Sequence, residues 1–449
     1  MRHDTKDFYK KLMLLVVPIA FQNLMLALVG ATDAFLLGMV DQNSMAAVSL
    51  ATQIDFILNL FLMAVVTGTT ALAAQYYGKG DIQTVQKLFC LAIRYAGLIS
   101  FVFFLLAFCC PQQLMKIYTS DPELIEIGAG YLKIVSWSYL FSGITKCYLC
   151  MMKISERTVK CAVISVAAVI VDVVMDIFFI FGVWGFPKMG ANGSAVSTVI
   201  VFALQLVWVI AESLKKGHLH PTWRGLIKIL PWLEKDFWKI AVPSLINNLI
   251  WGVGFSLYSA IMGHLGSDAT AANSIAAVMK ELISCLCMGL GGGAEIIIGH
   301  ALGQNQLERA KEYGAKLSRF AILCGVVSGV LLALLSPLLL EVVVLSAAAQ
   351  RYLQQMLVIC AVYLFAKSLN VTVVCGIFAA GGDIKYDAVS TAISMWLFSI
   401  PLGLLAAFVF KWPVIWVYLI VSADEIIKIP WMYPRYKKYI WLKNLTKEQ

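Results

Sequence analysis

Residues 18–38, PIAFQNLMLALVGATDAFLLG, return about 225 positions downstream as residues 243–263, PSLINNLIWGVGFSLYSAIMG. Pro18, Gln22, Asn23 and Gly38 stand opposite Pro243, Asn247, Asn248 and Gly263. The flanks agree as well: Phe8-Tyr9-Lys10 precedes the first copy and Phe237-Trp238-Lys239 the second. Further on, Gly68 and Gly78 pair with Gly293 and Gly303, and Tyr139-Leu140-Phe141 pairs with Tyr363-Leu364-Phe365. Each copy is apolar over roughly the 20 residues a helix needs to cross a bilayer. A duplicated apolar helix bundle is the construction of a two-lobed membrane protein, and two lobes that rock are what alternating access requires. One difference between the copies carries charge: Asp33 of the first stands opposite Tyr258 of the second.

The composition agrees with a lipid-embedded chain. Of 449 residues, 60% are hydrophobic and only 14% charged, more apolar surface than a water-soluble domain needs. Hydropathy places twelve spans, from Leu12–Leu37 to Pro413–Met432, six in each copy. Residues 1–11 are polar and run directly into the first span, so no cleavable signal peptide is expected. The net charge of +9 collects on one side: Lys6, Lys10, Lys11, Lys79, Lys87, Lys153–Lys160, Lys215–Lys239, Arg309–Arg319, Lys385 and the tail after Arg435. That is the positive-inside pattern, with both termini cytoplasmic in a multi-pass protein of the cytoplasmic (inner) membrane, and it excludes nucleic acid as the partner of the basic excess. The cysteines sit in apolar runs without zinc-like spacing, and no nucleophile–base pair, P-loop or dinucleotide fingerprint is present. An enzyme is not expected.

The expected fold is all-α and integral to the membrane: twelve transmembrane helices in two six-helix lobes, related by a pseudo-two-fold axis along the membrane normal. Residues 1–213 form the N-lobe, 214–236 a cytoplasmic connector with a short amphipathic helix (Trp223, Leu226, Ile227, Ile229, Leu230), 237–433 the C-lobe, and 434–449 a basic cytoplasmic tail. The expected partners are a small-molecule substrate and the lipid bilayer, and the chain is expected to act as a monomer without a cofactor.

Ionisable groups inside a bilayer are costly unless they are paired or face water, so each needs a reason. Asp33 lies in the first span, and Asp172 and Asp176 lie four apart in the fifth, on one helix face. Like-charged carboxylates on one face repel unless a proton or a cation sits between them; hard oxygen ligands suit Na⁺. In the second copy Lys280 and Glu281 sit inside a span with Glu295 fourteen residues on, and Lys280 holds the repeat position of Asp55. The plain reading of these is a salt-bridged gate; the alternative is recognition of substrate charge. Lys146 and Lys367, at related places in spans four and ten, and Gln22, Asn23 and Asn247 are further cavity or gate candidates. Asp424, Glu425 and Lys428 read as a cytoplasmic helix-end network.

At this point the sequence resembles the multidrug and toxic compound extrusion (MATE) family over essentially its whole length. The resemblance rests on Pro18…Gln22-Asn23…Asp33…Gly38, on Ala74-Gln75-Tyr76-Tyr77-Gly78-Lys79-Gly80-Asp81, on Asp172-x₃-Asp176 with Ile180-Phe181-Gly182, and on Gly190-Ala191-Asn192-Gly193-Ser194-Ala195-Val196-Ser197-Thr198. It implies an antiporter that expels organic compounds, cationic or amphipathic, as H⁺ or Na⁺ flows inward. By motif the family's N-lobe cation site falls on Asp33, Asp172, Asp176 and Thr198, with Asp33, Asp172 and Asp176 as ligands if the ion is Na⁺. Asp172 stands where the family has Asn. The acids that the NorM-like branch carries in helices seven and ten are missing, since Trp251 and Lys367 stand there, so the chain looks closer to the DinF-like branch. The alternative function is a flippase for a lipid-linked glycan precursor, which Lys146, Lys280 and Lys367 would suit; twelve spans and the acid cluster count against it.

Overall fold

The computed structural model of the chain describes residues 2–228, 230–342 and 345–447, with side chains at residues 2–5, 31, 34, 223, 224, 341 and 342 outside that description. Ile229 of the connector and residues 448 and 449 of the tail therefore lie outside the described residues. Helices account for nearly everything described, and no strand occurs among the described residues. In chain order the long helices are α1 (Arg2–Gly38), α2 (Gln42–Lys79), α3 (Ile82–Cys109), α4 (Pro122–Ile154), α5 (Thr158–Phe181), α6 (Ala191–Ser213), α7 (Pro231–Gly263), α8 (Ser267–Gly303), α9 (Leu307–Val342), α10 (Ala347–Phe378) and α11 (Ile384–Val409). The last, α12, is broken into Val414–Val421 and Asp424–Lys437.

Ten of these, all but α4 and α12, are long and apolar enough to cross a bilayer by themselves. α4 has 33 residues but carries Lys133 and Lys146 within its run. Large side chains on the outer faces confirm the solvent: Phe35, Val207, Leu334, Val358 and Leu397 are each about two-thirds exposed, which water would not tolerate in such number.

Three details depart from the expected spans. α1 starts ten residues before its apolar run, because the polar opening winds as the same helix and buries Phe8 and Leu12 among residues of α8 and α9. Pro18 and Pro243 sit inside helices that continue through them. α10 and α11 rewind as π-helix over Val371–Phe378, Ala392–Ser399 and Leu405–Val409. α2 opens on a side-chain cap: Ser44 donates from its backbone N at 2.6 Å and from its Oγ at 2.7 Å to the Asp41 carboxylate, and these bonds hold Asp41 below the usual carboxylate range.

Packing divides the chain into two units. One contains Met25–Ala73 and Asp81–Trp238; the other contains the chain up to Leu24, Ala74–Gly80, and everything from Lys239 onward. In the first, α4 packs against both α3 and α6, and α5 against α6. Its connector helix, Trp223–Ile227, lies on α3, where Arg94 Nη2 donates to Gly225 O at 3.3 Å. Lipid supplies no hydrophobic force between helices, so close backbone approach matters more here than in water.

The second unit is built on α8, whose small residues let other backbones touch it. A Cβ on Gly303 would stand 1.8 Å from Gln75 O at the end of α2, and one on Gly78 would stand 2.3 Å from His300 O. The tail then closes over this junction. Gln75 Nε2 donates to Ala380 O at 2.7 Å and Lys443 O at 3.1 Å, while Leu445 N donates to Gln75 Oε1 at 2.6 Å. Trp441 is fully buried beside Tyr436, and Arg435 grips Asp383 with two nitrogens at 2.6 and 2.7 Å.

Candidate functional site

The acid cluster of the first unit forms where α5 and α6 cross. Gly193 makes the crossing tight: a Cβ there would meet Phe179 O at 2.5 Å, so only glycine lets the start of α6 lie against the end of α5. One turn further along, Ser197 points at α5 and reaches both of its acids. Ser197 Oγ is 2.6 Å from Asp176 Oδ1 and 3.0 Å from Asp172 Oδ1. Asp176 is 1% exposed and Asp172 8%, so neither charge is relieved by bulk water.

Proton counting decides what this geometry means. A hydroxyl has one hydrogen, so Ser197 can donate to one carboxylate only. The second contact becomes a hydrogen bond only if that carboxyl carries a proton and donates to Ser197 Oγ. The third acid repeats the problem. Asp33 and Asp176 come within side-chain hydrogen-bonding range of each other, carboxyl against carboxyl. Asp33 Oδ1 and Asp176 Oδ2 are buried without a donor among the described residues. Three carboxyls and one hydroxyl supply acceptors in excess of donors, so the cluster calls for added positive charge.

Sequence expectation and geometry compare residue by residue. Asp33, Asp172 and Asp176 are brought together. Thr198 is not: its hydroxyl donates to Ser194 O at 3.0 Å along its own helix, and Ser197 occupies the bridging place. No trio of Asp, Glu, His or Cys among the described residues has the geometry of a metal centre. Na⁺ here would therefore draw hydroxyl and carbonyl oxygens into its shell beside the carboxylates. Tyr131 of α4, buried and close enough to Asp33, Asp55, Asp172 and Asp176 to feel all four charges, was not singled out in the sequence.

Asp55 and Lys146 belong to a neighbouring chain of contacts in the same unit. Asn59 Nδ2 donates to Asp55 Oδ2 at 2.7 Å, and Lys146 Nζ donates to Asn59 Oδ1. Asn59 thus separates acid from base, and Tyr131 lies close enough to both Asp55 and the acid cluster to interact electrostatically with each.

The second unit has its own polar interior. Asn247 Nδ2 donates to Asp387 Oδ2 at 2.8 Å, and Asn370 Nδ2 donates to Glu425 Oε2 at 2.8 Å. Asp424, Glu425 and Lys428, expected at a cytoplasmic helix end, are instead buried, because α12 breaks at Ser422–Ala423 and restarts with the two acids in its first turn. A helix start favours carboxylates, which pays part of their desolvation. Lys280 and Glu281 make no ion pair with each other; the Lys280 ammonium lies 4.5 Å from the Tyr363 ring centre and Lys367 lies 5.6 Å from it. Glu295 is half-buried, with Oε1 lacking a donor among the described residues. Gln22 of α1 is buried, and Asn23 beside it is half-buried.

Comparison with known proteins agrees with this architecture. The MatE family model matches residues 18–178 and 243–429, the two copies of the duplication. The probable multidrug resistance protein NorM of Agrobacterium fabrum is 24% identical over 429 residues, 90% of this chain and 87% of that protein. The uncharacterized transporter YisQ of Bacillus subtilis is 22% identical, covering 95% of this chain and 94% of its own length. Among solved structures, the Vibrio cholerae MATE transporter VcmN superposes with a TM-score of 0.89 at 17% identity, over 98% of this chain and 99% of that one.

Proposed function

The chain belongs to the MatE family of membrane transporters, and from that premise we propose that it is a secondary antiporter which exports organic compounds while H⁺ or Na⁺ flows inward. The observation that carries this reading is the single Ser197 hydroxyl set between two buried carboxyls, with Asp33 against one of them. Such a cluster takes up positive charge when it opens to one side of the membrane and is unstable without it.

Coupling needs differential affinity. The cation favours the state in which Asp33, Asp172, Asp176 and Ser197 converge, and cargo favours the opposite-facing state; a ligand that bound both equally would shift nothing. One elementary charge moving down 100 mV releases about 2.3 kcal/mol, before any concentration gradient is added. Asp33 and Asp176 hold the ion, and Asp172 and Ser197 complete its shell or its hydrogen-bond network. Both termini lie in the cytoplasm of the host cell, as the basic tail and connector support, and each chain holds a complete ion site of its own.

The test is dye efflux from proteoliposomes with Na⁺ and pH gradients imposed independently. Asp33→Asn and Asp176→Asn are expected to abolish gradient-driven efflux in protein that still elutes as a folded monodisperse species. Full activity in both variants would remove the cluster from the mechanism.

A further inference from the structure

Two lysines of the second unit have no partner that explains them. Lys280 of α8 and Lys367 of α10 place their ammonium groups 4.5 and 5.6 Å from the centre of one ring, that of Tyr363. Tyr363 and Lys367 are four residues apart on α10, so they share a face, and α8 packs against that helix. Neither ammonium has a carboxylate within ion-pairing distance or a hydrogen-bond acceptor among the described residues.

Both lysines lie well inside their helices. Lys367 is 11 residues from the nearer end of its helix and Lys280 is 13 from the start of α8, about 16–20 Å of helix. A lysine side chain does not reach either helix end from there. Yet both are only half-buried, so their exposed atoms face water inside the protein, since acyl chains would not accept them.

The nearby acids do not absorb these charges. Asp424 and Glu425 are close enough to interact electrostatically with Lys280, and Glu425 with Lys367, but neither lies within 4 Å of either ammonium. Glu425 already accepts from Asn370 Nδ2, and Lys428 of its own helix is its strongest cationic neighbour. One aromatic ring is left to serve two ammonium groups with six N–H donors between them, a contact far weaker than a charged hydrogen bond. What fits is a group with two or more anionic oxygens able to bridge both.

We propose that Lys280 and Lys367, with Tyr363 between them, form an oxyanion-binding subsite in the second unit, and that the exported compound presents a carboxylate or a phosphate there. This rests on the transport reading and narrows it: the cargo is an amphiphile with an anionic or zwitterionic head, not a simple organic cation. The half-buried lysines supply charge, and the Tyr363 ring supports the apolar part of the compound next to its head group.

The experiment measures binding by fluorescence anisotropy in lipid nanodiscs, using a zwitterionic rhodamine with a free carboxylate and its ethyl ester. The intact protein is expected to bind the free acid at least about tenfold more tightly than the ester. Lys280→Gln and Lys367→Gln should each erase that preference with little change in ester binding, whereas Lys280→Arg and Lys367→Arg should retain it. Short-chain phosphatidic acid is the competitor: displacement of the free acid identifies a lipid phosphate as an occupant, and no displacement identifies the carboxylate of a soluble cargo. A free-acid preference that survives in both Gln variants overturns the proposal, as does the lack of any preference in the intact protein. Gradient-driven efflux of the same preparations separates the two readings. Efflux without a Lys-dependent preference sinks only the subsite; absence of gradient-driven efflux sinks the transport reading.

Discussion

Replacing Ser197 by Ala reports which ion the acid cluster takes, because its loss moves a pH midpoint if the ion is a proton and a Na⁺ midpoint if it is Na⁺. In the intact site Ser197 Oγ is within 2.6 Å of Asp176 and 3.0 Å of Asp172. A hydrogen bond to a buried charged group contributes about 1.5–3 kcal/mol, which is about tenfold to a hundredfold in a binding constant. If the ion is a proton, losing the group that both carboxyls share changes how tightly the proton is held, so the pH of half-maximal efflux shifts by one to two units of about 1.4 kcal/mol each while Na⁺ has no effect. If the ion is Na⁺, the hydroxyl is one of its oxygen ligands, and its loss weakens Na⁺ binding, raising the half-saturating concentration by a similar factor. Thr198→Ala is the control, since among the described residues that hydroxyl bonds only to Ser194 O, and it should change either midpoint less than about threefold. The assay is efflux from proteoliposomes as a function of external pH at fixed Na⁺, then of Na⁺ at fixed pH. An unmoved midpoint in both series for Ser197→Ala, or an equal shift for Thr198→Ala, would refute the assignment of Ser197 as the bridging group.

Three further outcomes follow from the packing. Gly303→Val puts a side chain where Gln75 O stands 1.8 Å from the Cβ position, so it should destabilise the protein by at least about 1–3 kcal/mol, seen as a lower melting temperature in detergent. Gln75→Ala removes three hydrogen bonds to Ala380, Lys443 and Leu445, and amide hydrogen exchange in residues 443–447 should speed up by at least about tenfold while the rest of the chain is unchanged. Asp41 is held below the usual carboxylate range by Ser44, so its cap is present at neutral pH and is lost as pH falls through that lowered value, below about 3.9. Hydrogen exchange at the first turn of α2 should rise there, and Asp41→Ala should exchange fast at every pH.

The duplication and the membrane helices were legible because they depend on local apolar runs. Asp172 and Asp176 were legible too, since a spacing of four puts both on one face whatever surrounds the helix. Ser197 was not. It and Thr198 are neighbours about 100° apart around α6, and which of them meets α5 depends on how closely Gly193 lets the helices cross. Tyr131 comes from a third helix and is one of many aromatics, so nothing local marks it. The break in α12 has no glycine or proline at Ser422–Ala423 to announce it, and with the break unseen the acids after it read as a solvated helix end. Lys280 and Glu281 read as a neutral pair because they adjoin in sequence, yet adjacent helix residues point about 100° apart and do not meet.

The socket that holds Trp441 has an optical consequence. Its indole is sealed from solvent and lies parallel to Tyr436 with centroids 6.1 Å apart, whereas Trp184, Trp412, Trp416 and Trp431 are each about half or more exposed. Iodide will darken the outlying indoles first and leave a blue-shifted remnant emission to which the tail contributes. Any event that lifts the last dozen residues off the end of α2 will make that remnant quenchable, so the chain carries its own fluorescent gauge of whether its carboxyl terminus is seated.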